Sequence, residues 1–567
     1  MPLERRIRQR HLSATLTALA LWFASPNLSA ELLGTQPGEV PADGFVDADY
    51  CGQCHGGGID GDYSFLPTDT WAGTMMANAA RDPVFFAALT IANQDMPGVG
   101  TYCLRCHTPL GFVRNHAAPP DGSVLDEIDK QGVGCDVCHR ATQTAGPDGP
   151  YLLSDAQIVF TADTSKRGPY EGATSPVHDT VQDDGLSNPR FCGQCHYVTN
   201  PLRKLRNQEG IETNNEFPLD TTFLEWADSS YADAAAKDYA TCQDCHMKPK
   251  LGSWPVSDDP DAPLRPDPKR HEFVGGNVWG IDAVMAANPS RASTYEKAFA
   301  GARTKAEEML HRAVSLTVVS APDRVAPGQT LEVKARVENL AGHKFPTGYA
   351  ESRQAWVAMT LVDDNYVPYH LVGVYDAATG EIASEPPTHI YRARAGVWKE
   401  GVAEEEEHLV MHDVRLSDTR IPPKGFVPTE TTMPTGEIDY ADGSGGFRHF
   451  DEVTLHAVVP ANLKGHTALV VQVFYQSMTR QHVRMLADEN VTDTRGKELL
   501  GIYEATRSAP PIAIATVMQG LEVDPSLNDN VDTAHCALTI PGPTTNSGPF
   551  ALLGAALILR RLRSKSC

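Results

Sequence analysis

The chain has 567 residues, which is enough for two or three domains and a sizeable core. Its formal net charge is -24, and an acidic chain lacks the basic surface that a nucleic-acid partner requires. The same charge is compatible with a basic protein partner or with simple solubility. Hydrophobic residues make up 41% of the chain, as in an ordinary folded protein, so the feature that needs an explanation is its 12 cysteines.

The N-terminus has the pattern of an export signal. Four arginines occur within the first ten residues, residues 12–24 are mostly apolar, and the small residue Ala30 follows. The apolar run is shorter than the roughly 20 residues that a membrane span needs, although an N-terminal membrane anchor is the alternative. The pattern therefore predicts a signal peptide over residues 1–30 and a mature chain in the periplasm or at the cell surface.

Ten of the 12 cysteines occur in five copies of one pattern, Cys-x-x-Cys-His. Two thiols at this spacing, with a histidine directly behind, are typical of covalent haem c attachment: each thiol adds to one vinyl group and the imidazole binds the iron. Zinc fingers would pair their ligand couples at other spacings, and disulfides would leave the five histidines unexplained. The pattern predicts five haem c groups. The attachment cysteines are Cys51, Cys54, Cys103, Cys106, Cys135, Cys138, Cys192, Cys195, Cys242 and Cys245, and the proximal iron ligands are His55, His107, His139, His196 and His246.

With these five motifs the chain resembles the multihaem c-type cytochromes, and the resemblance covers residues 50 to 280 most strongly. Successive motifs lie close together in the chain; only 32 residues separate His107 from His139. Such segments are too short for five separate cores. We therefore expect closely packed haems to form the core of a mostly helical and irregular N-terminal domain over residues 31–312.

A second axial ligand would favour electron transfer at an iron, whereas an open side would allow a substrate to bind. Asp69 predicts the start of a helix from Thr70 to Ala80 that carries Met75 and Met76. In the family that this segment resembles, a histidine stands where Met76 stands here. Met76 or Met75 is therefore an expected distal ligand, and the alternative is that both pack in the core.

Three histidines of this region are further distal candidates. His178 precedes the fourth motif, and His271 opens a His-x-Phe-x-Gly-Gly sequence after the fifth motif. Both resemble distal ligands of multihaem cytochromes. His116 follows His107 by nine residues and is a weaker candidate, with a surface loop histidine as the alternative.

Beyond the five motifs the pattern predicts strands. Residues 331–338 alternate strictly between apolar and polar, and further strand-like runs occupy 355–362 and 468–475. We expect an antiparallel, immunoglobulin-like β-sandwich over residues 313–525, so the fold class is α + β in two parts. His343 lies in a Gly-His-x-Phe-Pro-Thr-Gly loop that resembles one in related multihaem cytochromes, which implies that it ligates a haem. The alternative is a turn histidine bonded to the backbone.

Residues 526–567 read as a linker and a short hydrophobic tail with a basic end. The apolar run is too short for a stable membrane span and is followed by Arg560 and Arg561. The tail resembles the C-terminal surface-sorting tails of some Gram-negative bacteria, which implies membrane or cell-surface association. A disordered tail or a helix packed on the sandwich is the alternative. Cys536 and Cys567 lack haem spacing.

Together these features predict an exported protein that carries electrons between redox partners through five closely packed haems. The expected partners are redox proteins or quinol-linked membrane donors. Two alternatives stay open. One is an oxidoreductase in which a haem without a second ligand acts on a small nitrogen or sulfur compound. The other is an oligomer stacked into conducting filaments. No motif has lysine in place of histidine, so the hallmark of pentahaem nitrite reductases is missing.

Overall fold

The structure is a computed structural model that describes residues 33–143, 145–146 and 149–530. The predicted signal peptide lies outside the described residues, and so do Cys536, Cys567 and nearly all of the predicted tail. Among the described residues, no helix has both the length and the apolar character needed to cross a membrane.

Helices occur on both sides of the predicted boundary at residue 312. They are α1 (Ala48–His55), α2 (Pro67–Trp71), α3 (Pro83–Asp95), α4 (Gly100–His107), α5 (Pro109–Val113), α6 (Cys135–His139), α7 (Arg190–Gly193), α8 (Thr222–Ala227), α9 (Cys242–His246), α10 (Val278–Ala287), α11 (Pro289–Thr294), α12 (Glu296–Leu310), α13 (Arg480–Asp488) and α14 (Arg495–Ala505).

Strands also occur throughout the described chain. They are β1 (Ala145–Gly146), β2 (Gly149–Pro150), β3 (Lys166–Gly168), β4 (Thr180–Gln182), β5 (Val198–Arg206), β6 (Glu212–Asp220), β7 (Ser253–Trp254), β8 (Arg265–Pro266), β9 (Val314–Ser320), β10 (Arg324–Val325), β11 (Thr330–Asn339), β12 (Gln354–Asp363), β13 (Pro368–Val372), β14 (Tyr375–Asp376), β15 (Glu381–Ile382), β16 (Ile390–Tyr391), β17 (Ala393–Lys399), β18 (Val402–Glu405), β19 (Val414–Asp418), β20 (Phe450–Val458), β21 (Gly465–Gln476) and β22 (Ile512–Val523).

Two sheets pack around the largest buried apolar cluster. One has the strand order β10-β22-β21-β12-β13, with β16 also paired to β12, and the other has the order β20-β11-β9. Along β11 every second residue is buried, because successive side chains of a strand point to opposite faces. Its apolar residues pack with those of β12 and β21. The three predicted strands are confirmed, and the pairs are antiparallel except for β10 with β22. The immunoglobulin-like assignment stays a prediction.

A third sheet contains strands from both predicted domains. Its order is β18-β17-β19-β5-β6, so β19 lies beside β5 although more than 200 residues separate them. The sequence analysis predicted no strand between residues 198 and 220. The described chain is therefore a mixed α + β structure whose two predicted parts share a sheet.

The segment that carries the two methionines differs from the prediction. Helix α2 ends at Trp71, and residues 72–80 form turns in place of the predicted helix to Ala80. Asp69 does not cap this helix; its carboxylate accepts hydrogen bonds from the N–H groups of Gly57 and Gly58. At Gly73 the backbone lies so close to α12 that a Cβ would be 2.3 Å from the carbonyl of Ala298. Tertiary contacts therefore override the local helical pattern.

Helices α13 and α14 pack on α3 through a shared apolar cluster that includes Ile91, Val483 and Leu499. At the edge of this contact His408 joins the ends of α3 and α13. Its Nδ1 contacts Asp95 at 3.0 Å and its Nε2 contacts Glu489 at 2.7 Å. The histidine therefore bridges two elements that are far apart in the chain.

This bridge predicts a pH-dependent contribution to stability. The hydrogen bond to Asp95, together with Glu489, raises the pKa of His408 to about 9. A raised pKa means that the contribution is complete below the unfolded value of about 6.5 and is lost as the pH rises through about 9. We expect His408→Gln to lower the midpoint of thermal unfolding at about pH 6 and to have little effect at about pH 10. An equal effect at both pH values would contradict this assignment.

Candidate functional site

All five Cys-x-x-Cys-His motifs line one cavity of about 1790 Å³. Their ten cysteines and five histidines are spread over almost 200 residues of sequence, yet every one of them borders this space. Pockets for a single small ligand usually have about 300–1,000 Å³. The fold therefore gathers the five motifs around a space larger than one such ligand requires. We number the sites first to fifth in chain order.

The motifs lie on or at the end of short helices. In α6 and α9 the helix is the motif itself, and in α1 and α4 the motif forms its last residues. Residues three apart are neighbours on one face of a helix, so both cysteines face the same way in these four motifs, whereas α7 ends at Gly193 inside the fourth motif. Helix α9 begins with a capping box in which Thr241 and Asp244 satisfy each other's backbone N–H groups.

Thiols of different sites are in contact. The thiols are free, and those of Cys51 and Cys135, of Cys106 and Cys195, and of Cys192 and Cys242 are hydrogen-bond partners. These contacts, followed by burial, raise the pKa values of Cys135, Cys106 and Cys192 well above the ordinary range. Cys138 is also close enough to raise the pKa of Cys192. The first site therefore adjoins the third, and the fourth site lies among the second, third and fifth.

Three motif histidines face a second histidine across the cavity. The ring centres are 6.5 Å apart for His55 and His178, 6.1 Å for His139 and His271, and 6.3 Å for His246 and His343. An imidazole nitrogen lies about 1.1 Å from its ring centre and binds a metal at about 2.0–2.1 Å, so two rings that share one ion have centres about 6.3 Å apart. Each pair thus has the spacing required to hold one metal ion.

The hydrogen bonds of these rings leave Nε2 free. Nδ1 of His55 lies 2.6 Å from the carbonyl of Val256, and Nδ1 of His139 lies 2.6 Å from that of Arg167. His246 makes the same contact with the carbonyl of Val274. Because a carbonyl only accepts hydrogen bonds, Nδ1 carries the proton and Nε2 keeps its lone pair for a metal.

Burial keeps the rings neutral. It lowers the pKa of His246 to about 4 and that of His271 to about 3, and it also lowers the pKa values of His139 and His343. Neutral imidazole is the form that ligates metals. His139, His246, His271 and His343 are therefore in the protonation state that this role requires at neutral pH.

The other two motif histidines have different surroundings. Among the described rings, His107 stacks on Phe85 with centres 3.7 Å apart and shows no facing histidine. His196 is half-exposed, and its Nδ1 lies 4.0 Å from a carboxylate oxygen of Asp220. Met75 and Met76 both border the cavity, and the assignment of either thioether to an iron stays a prediction.

The structure does not bring His116 to the cavity. Its Nδ1 lies 2.5 Å from a carboxylate oxygen of Asp129, and Arg114 binds the same carboxylate and that of Asp126. These contacts hold His116 outside the cavity. His116 was a candidate ligand because it is close to His107 in sequence. Sequence spacing does not show the direction that the loop takes after α5, and this direction leads His116 away from the cavity.

Three polar residues of the second part of the chain, Tyr349, Arg353 and His482, also border the cavity. His482 on α13 is 6% exposed, and its Nε2 has no hydrogen-bond partner. Its ring contacts that of Tyr349 with centres 5.2 Å apart, and Arg353 also borders the cavity. These residues lie more than 100 positions beyond the last motif and have no ligand-like spacing, so no sequence signal indicated them.

A buried cluster of charged side chains lies behind the His343 loop. Lys344 Nζ contacts Asp418 at 2.7 Å, Arg420 contacts Asp418 at 2.7 Å, and Arg420 also contacts Glu225 at 2.9 Å. All four side chains are at most 3% exposed. Although burial alone would raise the pKa of Asp418, Arg420 and Lys344 hold it well below its usual range. Asp418 is therefore ionised and compensates two buried cations.

We expect removal of the Asp418 carboxylate charge to lower the free energy of unfolding strongly. Asp418→Asn would leave Lys344 and Arg420 buried with Glu225 alone, and a broken buried pair typically costs about 3–5 kcal/mol. We expect this loss in the apparent free energy of unfolding in urea. As a control, Glu452→Gln breaks the exposed pair with Arg336 and should cost less than about 1 kcal/mol. Equal losses for the two variants would contradict the role of the cluster.

The chain matches no model of a known protein family and no curated protein. Among solved structures it is similar to a penta-haem cytochrome c552 from Thermochromatium tepidum, with 15% identity and a TM-score of 0.47 over 84% of this chain and 99% of that chain. A CARDB domain from Pyrococcus furiosus matches 37% of this chain and 86% of its own at 11% identity and a TM-score of 0.13. The sporulation control protein Spo0M from Bacillus subtilis matches 37% of this chain and 49% of its own at 10% identity and a TM-score of 0.12. With similarity this distant, function has to be argued from the site itself.

Proposed function

We propose that the chain is an exported multihaem c-type cytochrome that carries electrons between redox partners through five covalently attached haems. One observation carries the proposal: five Cys-x-x-Cys-His motifs border one cavity, and three of their histidines face a second histidine at the spacing of a shared metal ion. Export rests on the signal pattern of residues 1–30.

The residues of the cavity fit haem c. Each motif offers two thiols for two thioether bonds, and its imidazole has Nε2 available for the iron. Once bound, the haem supplies an iron that gains and loses one electron. The chain itself would hold the group by its cysteines, and it orients the imidazoles of His55, His139 and His246 through backbone carbonyls.

The contacts between thiols support a route for electrons. Groups bonded to touching thiols must themselves be close, and electrons tunnel rapidly only over short gaps. The contacts of Cys51 with Cys135 and of Cys192 with Cys242, together with the closeness of Cys138 to Cys192, support a path from the first site through the third and fourth to the fifth. Cys54 and Cys245 are exposed, which makes the first and fifth sites the best candidates for exchange with partners.

The proposed partners are redox proteins or quinol-linked membrane donors, and the tail is proposed to associate with a membrane or the cell surface. A second function is supported by a separate observation. Neither His107 nor His196 faces another histidine among the described rings, and Tyr349, Arg353 and His482 border the same cavity. An iron left open there would suit an oxidoreductase acting on a small nitrogen or sulfur compound.

Electron paramagnetic resonance of the oxidised, mature protein tests the proposal. Mass spectrometry of the intact protein is expected to show the mass of the chain with five haems. We also expect His178→Ala, His271→Ala and His343→Ala each to convert about one fifth of the iron from low spin to high spin, because each removes one axial ligand.

His116→Ala is the matched control. Because His116 is bound to Asp129, this substitution should leave every signal unchanged. Fewer than five haems, or no change in the three variants, would contradict the proposal. A high-spin signal already present in the unmodified protein would indicate an open iron and favour the oxidoreductase.

A further inference from the structure

The loop that carries His343 is held by one buried carboxylate. Glu225 on α8 is fully buried, and its Oε2 accepts hydrogen bonds from the backbone N–H of Lys344 at 3.1 Å and from the hydroxyl of Thr347 at 2.9 Å. Its Oε1 accepts from Thr221 at 2.7 Å and lies 2.9 Å from Arg420. Glu225 thus binds the loop at two points, one of them directly after His343.

The peptide groups of Lys344 connect this carboxylate to the imidazole. The N–H of Lys344 donates to Glu225, and its carbonyl accepts from Nδ1 of His343 at 3.1 Å. The orientation of the His343 ring therefore depends on the position of a residue whose backbone Glu225 holds. The carbonyl of His343 is also fixed, because it accepts from the side chain of Asn339 at 2.8 Å.

The other side of the loop is held by the charged cluster. The ammonium group of Lys344 lies on Asp418, and the neighbouring backbone of Phe345 exchanges two hydrogen bonds with Ile421 at 2.9 and 3.0 Å. His343 borders the cavity, whereas Glu225, Lys344, Asp418 and Arg420 are absent from its lining. The four charged residues therefore do not border the fifth site themselves, and their hydrogen bonds reach it through the loop.

We propose that Glu225, supported by Lys344, Asp418 and Arg420, is a positioning residue that places the imidazole of His343 opposite His246. This inference rests on the proposed function, in which these two histidines ligate the fifth iron. Because the carboxylate holds both the backbone of the loop and the Arg420 side chain, loss of its charge releases His343 from the iron while the haem remains covalently attached.

The test compares the spectra of three holoprotein variants. His343→Ala identifies the signal of the fifth iron. Glu225→Gln keeps the shape of the side chain and removes its charge, and we expect it to convert the same signal, about one fifth of the iron, to high spin. Glu225→Asp keeps the charge and should retain part of the low-spin signal. Free imidazole added to Glu225→Gln should restore it by binding the vacated position.

Glu405→Gln is the control, because Glu405 pairs with Arg394 in an exposed ion pair on β17 and β18, away from the loop. It should leave all five irons unchanged. If Glu225→Gln does not fold, Thr347→Val removes one of the hydrogen bonds to Glu225, together with the contact to Thr222, and is expected to weaken the same signal.

The outcomes separate the inference from the proposed function. If His343→Ala loses the signal and Glu225→Gln or Thr347→Val retains it fully, the positioning role is overturned and the ligand assignment stands. If His343→Ala changes nothing, the axial pair is overturned and the inference falls with it. A protein that then still carries five haems by mass would keep its assignment as a cytochrome.

Discussion

The orientation of three motif imidazoles in the cavity depends on one kind of contact, the hydrogen bond from Nδ1 of the histidine to a backbone carbonyl. At His55, His139 and His246 the carbonyl lies 201, 28 and 28 residues further along the chain. A ring held in this way turns its unprotonated Nε2 towards the cavity. The segment after the fifth motif thus has a definite role, because it delivers the carbonyl groups of Val256 and Val274, while strand β3 delivers that of Arg167.

The strand-rich part of the chain contributes to the site itself. It shares a sheet with β5 and β6, and its His343 loop is fixed by charges that are entirely buried. Buried ion pairs add little net stability, but breaking a pair leaves an uncompensated buried charge. Such pairs therefore favour the one geometry in which every charge is compensated. Thr347 also contacts Thr222, which donates to Asp220 beside His196. The loop therefore borders the fourth site as well as the fifth.

Local patterns predicted local features well. The alternation in 331–338 predicted a strand correctly, because an alternating pattern requires only that one face of the strand is buried. Asp82 caps α3, as aspartate commonly does at the start of a helix. The helix to Ala80 was wrong because Gly73 lies against α12. The strands over 198–220 pair mainly with each other, and they were missed because their mostly polar sequences show no apolar alternation.

The sequence by itself determined which residues can attach a haem, because the spacing of two thiols and an imidazole is a property of one helical turn. It also singled out His178, His271 and His343, together with Met75, Met76 and His116, as candidate second ligands. Only the tertiary structure decided which motif each of them faces, that His116 is bound to Asp129, and that His482 borders the cavity. These relations depend on contacts between segments up to several hundred residues apart, and no local spacing encodes them.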